Sequence, residues 1–215
     1  MSAEAPGNPA ANGKILIHPA VVRVTHWINA FAILLMISSG WQIYNASPLF
    51  DFTFPKEIAL GGWLAGGLRW HFAAMWLLVA NGIVYVLYGV LSGHYRRQFL
   101  PVTPKAVGHA LSDALRGKLA HRLGDYNPLQ RTAYLGVVAL GAVVVLSGLA
   151  LWKPVQLAWL AAPMGGYEIV RRVHFVCMAG IALFIVIHVV LVILVPRTFL
   201  PMLSGRARNE SAGAS

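Results

Sequence analysis

Four apolar runs, each close to the roughly 20 residues a helix needs to cross a hydrocarbon core, dominate this 215-residue chain and leave few folds open to it. They extend from about Ala20 to Tyr44, from Trp70 to Leu91, from Thr132 to Leu151 and from Val173 to Val195. Backbone polar groups find no water in lipid, so a lone span of this length must satisfy them internally as a helix. The fold class expected is all-α: an integral membrane four-helix bundle. Loop signals separate the runs, namely Pro48, Pro55, Gly61-Gly62, Gly66-Gly67, Pro101, Pro104, Pro154 and Pro163. The remainder divides into a flexible polar tail over residues 1–15, a membrane domain over 16–200 and a polar tail over 201–215.

Composition agrees. Hydrophobic residues make up 58% of the chain and charged ones 11%, whereas soluble domains average roughly 45–50% and about 25%. A conventional soluble enzyme and a disordered chain are both excluded. The net charge of +10 is explained by where the basic residues fall. Twelve of the 17 Lys and Arg (Lys14, Arg23, Arg96, Arg97, Lys105, Arg116, Lys118, Arg122, Arg131, Arg197, Arg206 and Arg208) lie on the side that holds both termini and the central loop. Lys56, Arg69, Lys153, Arg171 and Arg172 lie on the other side. The positive-inside rule places both termini in the cytoplasm, with lipid as the first partner and no role for nucleic acid. In the long loop, Val107, Leu111, Leu115, Leu119 and Leu123 recur every four residues among Lys105, Arg116, Lys118 and Arg122. That pattern predicts a basic amphipathic helix on the cytoplasmic leaflet, or a docking surface for a cytoplasmic partner.

Ionisable groups inside spans are costly and mark function. His26 lies near the inner start of span one, His71 near the outer start of span two, and His174 and His188 both on span four. The last two are 14 residues apart, which is about 21 Å of rise and about 40° short of four full turns, so they share one helix face at two depths. Matching depths pairs His26 with His188 at the inner level and His71 with His174 at the outer level. Facing helices that each supply a histidine build cofactor sites in bundles, and two imidazoles on opposite sides of an iron porphyrin make a six-coordinate b-type haem. Arg69, Arg171 and Arg172 at the outer level, and Arg23 with Arg131 at the inner, could pair with haem propionates.

Other readings stay open. Single histidines in membranes are commonly packing residues, and a tetrahedral zinc site wants more than two ligands. His18, His94, His109 and His121 fall outside the spans, with His94 a substitute inner ligand. Cys177 is the only cysteine, which excludes an intramolecular disulfide, thiolate clusters and covalent attachment of haem through Cys-x-x-Cys-His, and it reads as a buried hydrophobe. Most of the tryptophans read as an interfacial belt. A proton or metal pathway should place acids in the spans, and none of Asp51, Glu57, Asp113, Asp125 and Glu168 is expected there.

Several stretches carry a resemblance: His18-Pro19 with Arg23-x-x-His26-Trp27, Arg69-Trp70-His71-Phe72, Asn127-Pro128-Leu129-Gln130, and Arg171-x-x-His174 with His188. Over residues 15–200 the chain resembles the bacterial di-haem cytochrome b family of the b-561 type, which includes cytochrome b subunits of nickel–iron hydrogenases and formate dehydrogenases. The resemblance implies two non-covalent haem b groups on the same histidine pairs. It also implies a quinone site near the cytoplasmic-side haem, with Asn127, Gln130 and His188 as candidates, although capping and turn formation would equally explain Asn127 and Gln130. The function expected is electron transfer between a periplasmic redox partner, such as a molybdenum oxidoreductase or a c-type cytochrome, and the quinone pool. The alternatives are a stand-alone oxidoreductase taking electrons from a small species such as superoxide, and a haem-free transporter or scaffold.

Overall fold

The computed structural model describes residues 14–16, 18–93, 105–106, 108–109, 112, 128–196 and 199–208. A short strand β1 (Lys14–Leu16) leads into the first spanning helix, α1 (Ala20–Ala46), followed by α2 (Leu64–Leu91) and α3 (Pro128–Trp152). A single turn, α4 (Ala158–Ala161), precedes the fourth spanning helix, α5 (Tyr167–Leu194), and then come α6 (Phe199–Ser204) and strand β2 (Arg206–Arg208). The four long helices are each apolar enough to cross a bilayer. Their outward surfaces carry side chains that water would expel, such as Leu91 at 84% and Ile193 at 70% exposure, as expected where lipid is the solvent. Strands β1 and β2 pair antiparallel, with Lys14 opposite Arg208 and Leu16 opposite Arg206. Both chain ends are thus clasped at one face of the bundle, as four crossings require. The residues of this clasp and of α6 lie within stretches that the sequence reading gave largely to the polar tails. The proposed surface helix at positions 107, 111, 115, 119 and 123 lies outside the described residues.

Helix α2 begins at Leu64, six positions before the start read from sequence. The cause is the glycines. Gly61 and Gly62 have φ of 121° and 71° and make the turn before α2, a region that L side chains avoid. Gly66 and Gly67 are helical and serve close packing instead. A Cβ at Gly67 would lie 3.0 Å from Gln42 Cγ on α1, and one at Gly66 would lie 2.0 Å from the Gly61 carbonyl oxygen. Small residues that let backbones approach are the usual currency of helix association in lipid. Gly165 and Gly166, with φ of 96° and 86°, make the corresponding turn before α5. That helix also starts early and takes Glu168, Arg171 and Arg172 into its first two turns, so the expectation of no acid within a span fails for Glu168. Replacing Gly66 with alanine is expected to cost about 1–3 kcal/mol of overpacking. Gly82→Ala in the same helix, where a Cβ meets nothing within 4 Å, should be neutral; thermal unfolding in detergent separates the two.

Close backbone packing is concentrated in two hairpins, α1 with α2 and α3 with α5. In the first, Asn81 of α2 donates both amide protons to α1, to the Thr25 carbonyl and to Asn29 Oδ1, each at 2.7 Å. Between the hairpins the backbones stay apart, and side chains bridge the seam. Tyr44 and Phe50 meet Phe175 of α5 with centroids at 5.0 and 5.6 Å, closing the outer end. At the inner end Trp27 packs edge-on against Phe199 of α6 at 6.1 Å, and its indole N–H donates to the Met202 carbonyl.

Candidate haem sites

Two histidine pairs span the seam. His71 of α2 faces His174 of α5 with ring centroids 6.4 Å apart and planes at 64°. His26 of α1 faces His188 of α5 at 6.1 Å and again 64°. These are the pairs that depth matching predicts, and each takes one ring from each hairpin. An imidazole nitrogen binds a transition metal at about 2.0–2.1 Å and lies roughly 1.2 Å from its ring centroid, so two rings flanking one metal sit about 6.4 Å apart. Both pairs meet that spacing. Among the described residues no group of three or more histidines, cysteines or acids gathers at either level, so the donor set suits two axial ligands and falls short of a tetrahedral cage.

The helices around the outer pair share one device. Ser39 of α1 lies 3.1 Å from His71 Nδ1, and Ser147 of α3 lies 3.0 Å from His174 Nδ1. Both serines are fully buried. Each is followed by a glycine against which the same ring rests: a Cβ at Gly40 would lie 3.6 Å from His71 Cε1, and one at Gly148 would lie 3.1 Å from His174 Cε1. Neither serine stands out in the sequence. The available signal was a Ser-Gly pair toward the outer end of span one and again of span three, each span preceding one that carries an outer histidine.

The arginines separate. Arg171 donates to the Ser47 carbonyl at 2.7 Å and pairs with Glu168 at 3.3 Å, which ties the start of α5 to the end of α1 across the seam. Arg69 and Arg172 at the same level are exposed. At the inner level Arg23 donates through Nη1 to the Leu203 carbonyl, while its buried Nε has no hydrogen-bond partner among the described residues. An anionic group reaching that nitrogen would complete it. Arg131 and Gln130 sit at the start of α3 and are partly buried; Asn127 lies outside the described residues.

The model of the prokaryotic cytochrome b561 family matches residues 17–205. A protein of Azospira oryzae assigned as a protein-methionine-sulfoxide reductase subunit, YedZ1, is 52% identical over 88% of this chain and 96% of its own length. Proteins assigned as Ni/Fe-hydrogenase B-type cytochrome subunits are 25% identical in Bradyrhizobium diazoefficiens, over 88% of this chain and 82% of the relative, and 27% identical in Cupriavidus necator, over 83% and 80%. With four spans and this match along nearly its whole length, the chain belongs to the prokaryotic cytochrome b561 family and is a multi-pass b-type cytochrome of the bacterial inner membrane, a protein of electron transfer.

Proposed function

We propose that the chain conducts electrons across the membrane between quinol at the cytoplasmic side and a redox enzyme docked at the outer face, using two b-type haems. His71 with His174 would hold the outer haem and His26 with His188 the inner one. A bis-histidine haem supplies a one-electron couple with no open coordination position. The observation that carries this reading is the recurrence of one ring-to-ring spacing at two depths.

The remaining residues take supporting roles. Arg69 and Arg172 supply exposed guanidinium groups at the outer level, and the Nε of Arg23, unsatisfied among the described residues, supplies one donor at the inner level. Charge-assisted hydrogen bonds of this kind suit propionates. Arg171 would clamp the hairpins through Ser47, while Glu168 of its own helix pairs with the same guanidinium. Gln130, with Asn127 and His188, is the proposed quinone contact, since all three fall toward the cytoplasmic end. The relative assigned as a methionine-sulfoxide reductase subunit supports a sulfoxide-reducing partner and outward electron flow. Reducing a sulfoxide to a thioether and water consumes two electrons, which oxidation of one quinol would supply through the haems, and two protons, which would be taken up on the outer side. The hydrogenase-type relatives support the same conduit running inward.

The test is stoichiometry. A pyridine haemochrome assay on purified protein should return two non-covalent haems per chain, and a value near zero or one would overturn the reading. Quinol should reduce both haems in membranes. Methionine sulfoxide should reoxidise them only when the partner enzyme is present; reoxidation without it would make the chain a stand-alone enzyme.

A further inference from the structure

We infer that Ser39 and Ser147 are positioning residues of the outer site, holding His71 and His174 with the proton on Nδ1 and with Nε2 turned to the shared iron. This rests on the assignment of those two histidines to one haem. A serine hydroxyl has a single proton. Ser39 donates it to the Leu35 carbonyl at 2.6 Å, and Ser147 donates to the Val143 carbonyl at 2.7 Å. With the proton committed to its own helix, each Oγ can only accept from the histidine at 3.1 or 3.0 Å. Nδ1 must therefore be the donor, and Nε2 keeps its lone pair. The tautomer is fixed before any metal arrives.

The arrangement occurs twice, once in each hairpin, with the same parts. The first helix of the hairpin carries Ser-Gly; the serine meets Nδ1 of a histidine on the second helix, and the glycine lies against Cε1 of that ring. Two half-sites of the same design thus meet across the seam. The inner level lacks the device: among the described residues no hydroxyl is hydrogen-bonded to His26 or His188.

An acceptor on Nδ1–H makes an imidazole a stronger donor to metal. A stronger donor favours ferric iron and lowers the potential, and second-shell hydrogen bonds are one of the protein's levers on haem. The serines should therefore hold the outer haem at a lower potential than its ligands alone would set. Both act on one iron, so their effects should add.

Spectroelectrochemical titration of purified Ser39→Ala, Ser147→Ala and the double variant tests this, together with the low-spin EPR signal of each haem. The expected result is two haems per chain, a raised midpoint for the outer haem in each single variant, a shift near the sum of the two in the double variant, and an unmoved inner haem. Ser39→Thr and Ser147→Thr keep a hydroxyl that can bond the carbonyl one turn back, and they should restore the parent potential and EPR signal. Loss of the outer haem in the alanine variants but not in the threonine ones also supports the assignment. Unchanged potentials in both alanine variants would overturn it, as would threonine variants that behave like alanine or a shift that falls on both haems. If the unsubstituted protein lacks two haems, the proposed function fails instead.

Discussion

His174→Ala should take the haem content from two per chain to about one and remove the low-spin signal of the outer haem, while leaving the inner haem's spectrum and potential in place. His188→Ala should do the reverse. The two positions lie on one helix, α5, and share a face, with about 21 Å of helical rise between them. Each ring faces its own partner across the seam, at 6.4 Å for His174 and 6.1 Å for His188. On the proposed ligation, loss of one would deprive one iron of an axial nitrogen and leave the other untouched. A histidine-to-alanine change removes one ring and leaves the close backbone packing within each hairpin in place, so the fold should persist. Haemochrome assay and redox titration read the result directly. Retention of both low-spin spectra in either variant would sink the ligand assignment.

The second large effect concerns Gly148. A Cβ there would already press on His174 Cε1 at 3.1 Å, closer than nearly all real contacts; at Gly40 the equivalent distance to His71 is 3.6 Å, an ordinary contact. Gly40→Ala should therefore keep both haems and nearly parental potentials. Gly148→Ala should displace the His174 ring and broaden or shift the outer haem's signal. Gly148→Leu drives a branched side chain into the space the ring holds and should abolish the outer haem. Overpacking of this kind costs about 1–3 kcal/mol and sometimes more. Haem content and EPR across the three variants give the ranking. Equal behaviour of Gly40→Ala and Gly148→Ala would mean that His174 does not rest on α3 in the folded protein.

The spans and the histidine pairing were legible in the sequence for a common reason: consecutive spans alternate direction, so position along a span translates into depth. His26 near the start of α1 must lie level with His188 near the end of α5, whatever the helices pack against. Features that depend on lateral neighbours were not legible. Gly66 and Gly67 read as turn residues because nothing local distinguishes a glycine that bends the chain from one that admits Gln42 of another helix. Ser39 and Ser147 do not stand out in the sequence because nothing local marks them: their bonds to Leu35 and Val143 stay within one helix, while their contacts with His71 and His174 cross between helices. Arg171, expected to serve a propionate, is engaged by Ser47, a residue 124 positions away in sequence.

The division into two hairpins bears on how such a protein is made. On the proposed ligation, His26 and His71 emerge with the first hairpin, His174 and His188 with the second, and neither hairpin alone carries both ligands of either site. A ribosome-bound intermediate with α1 and α2 already inserted could offer iron only single, unpaired imidazoles. Both sites come into being together when α5 enters the membrane and the strand at Arg206–Arg208 reaches back to Lys14–Leu16. On that ligation, cofactor loading would be the last act of biogenesis and would cross-link halves that were inserted separately, in the way that metal capture elsewhere is coupled to folding.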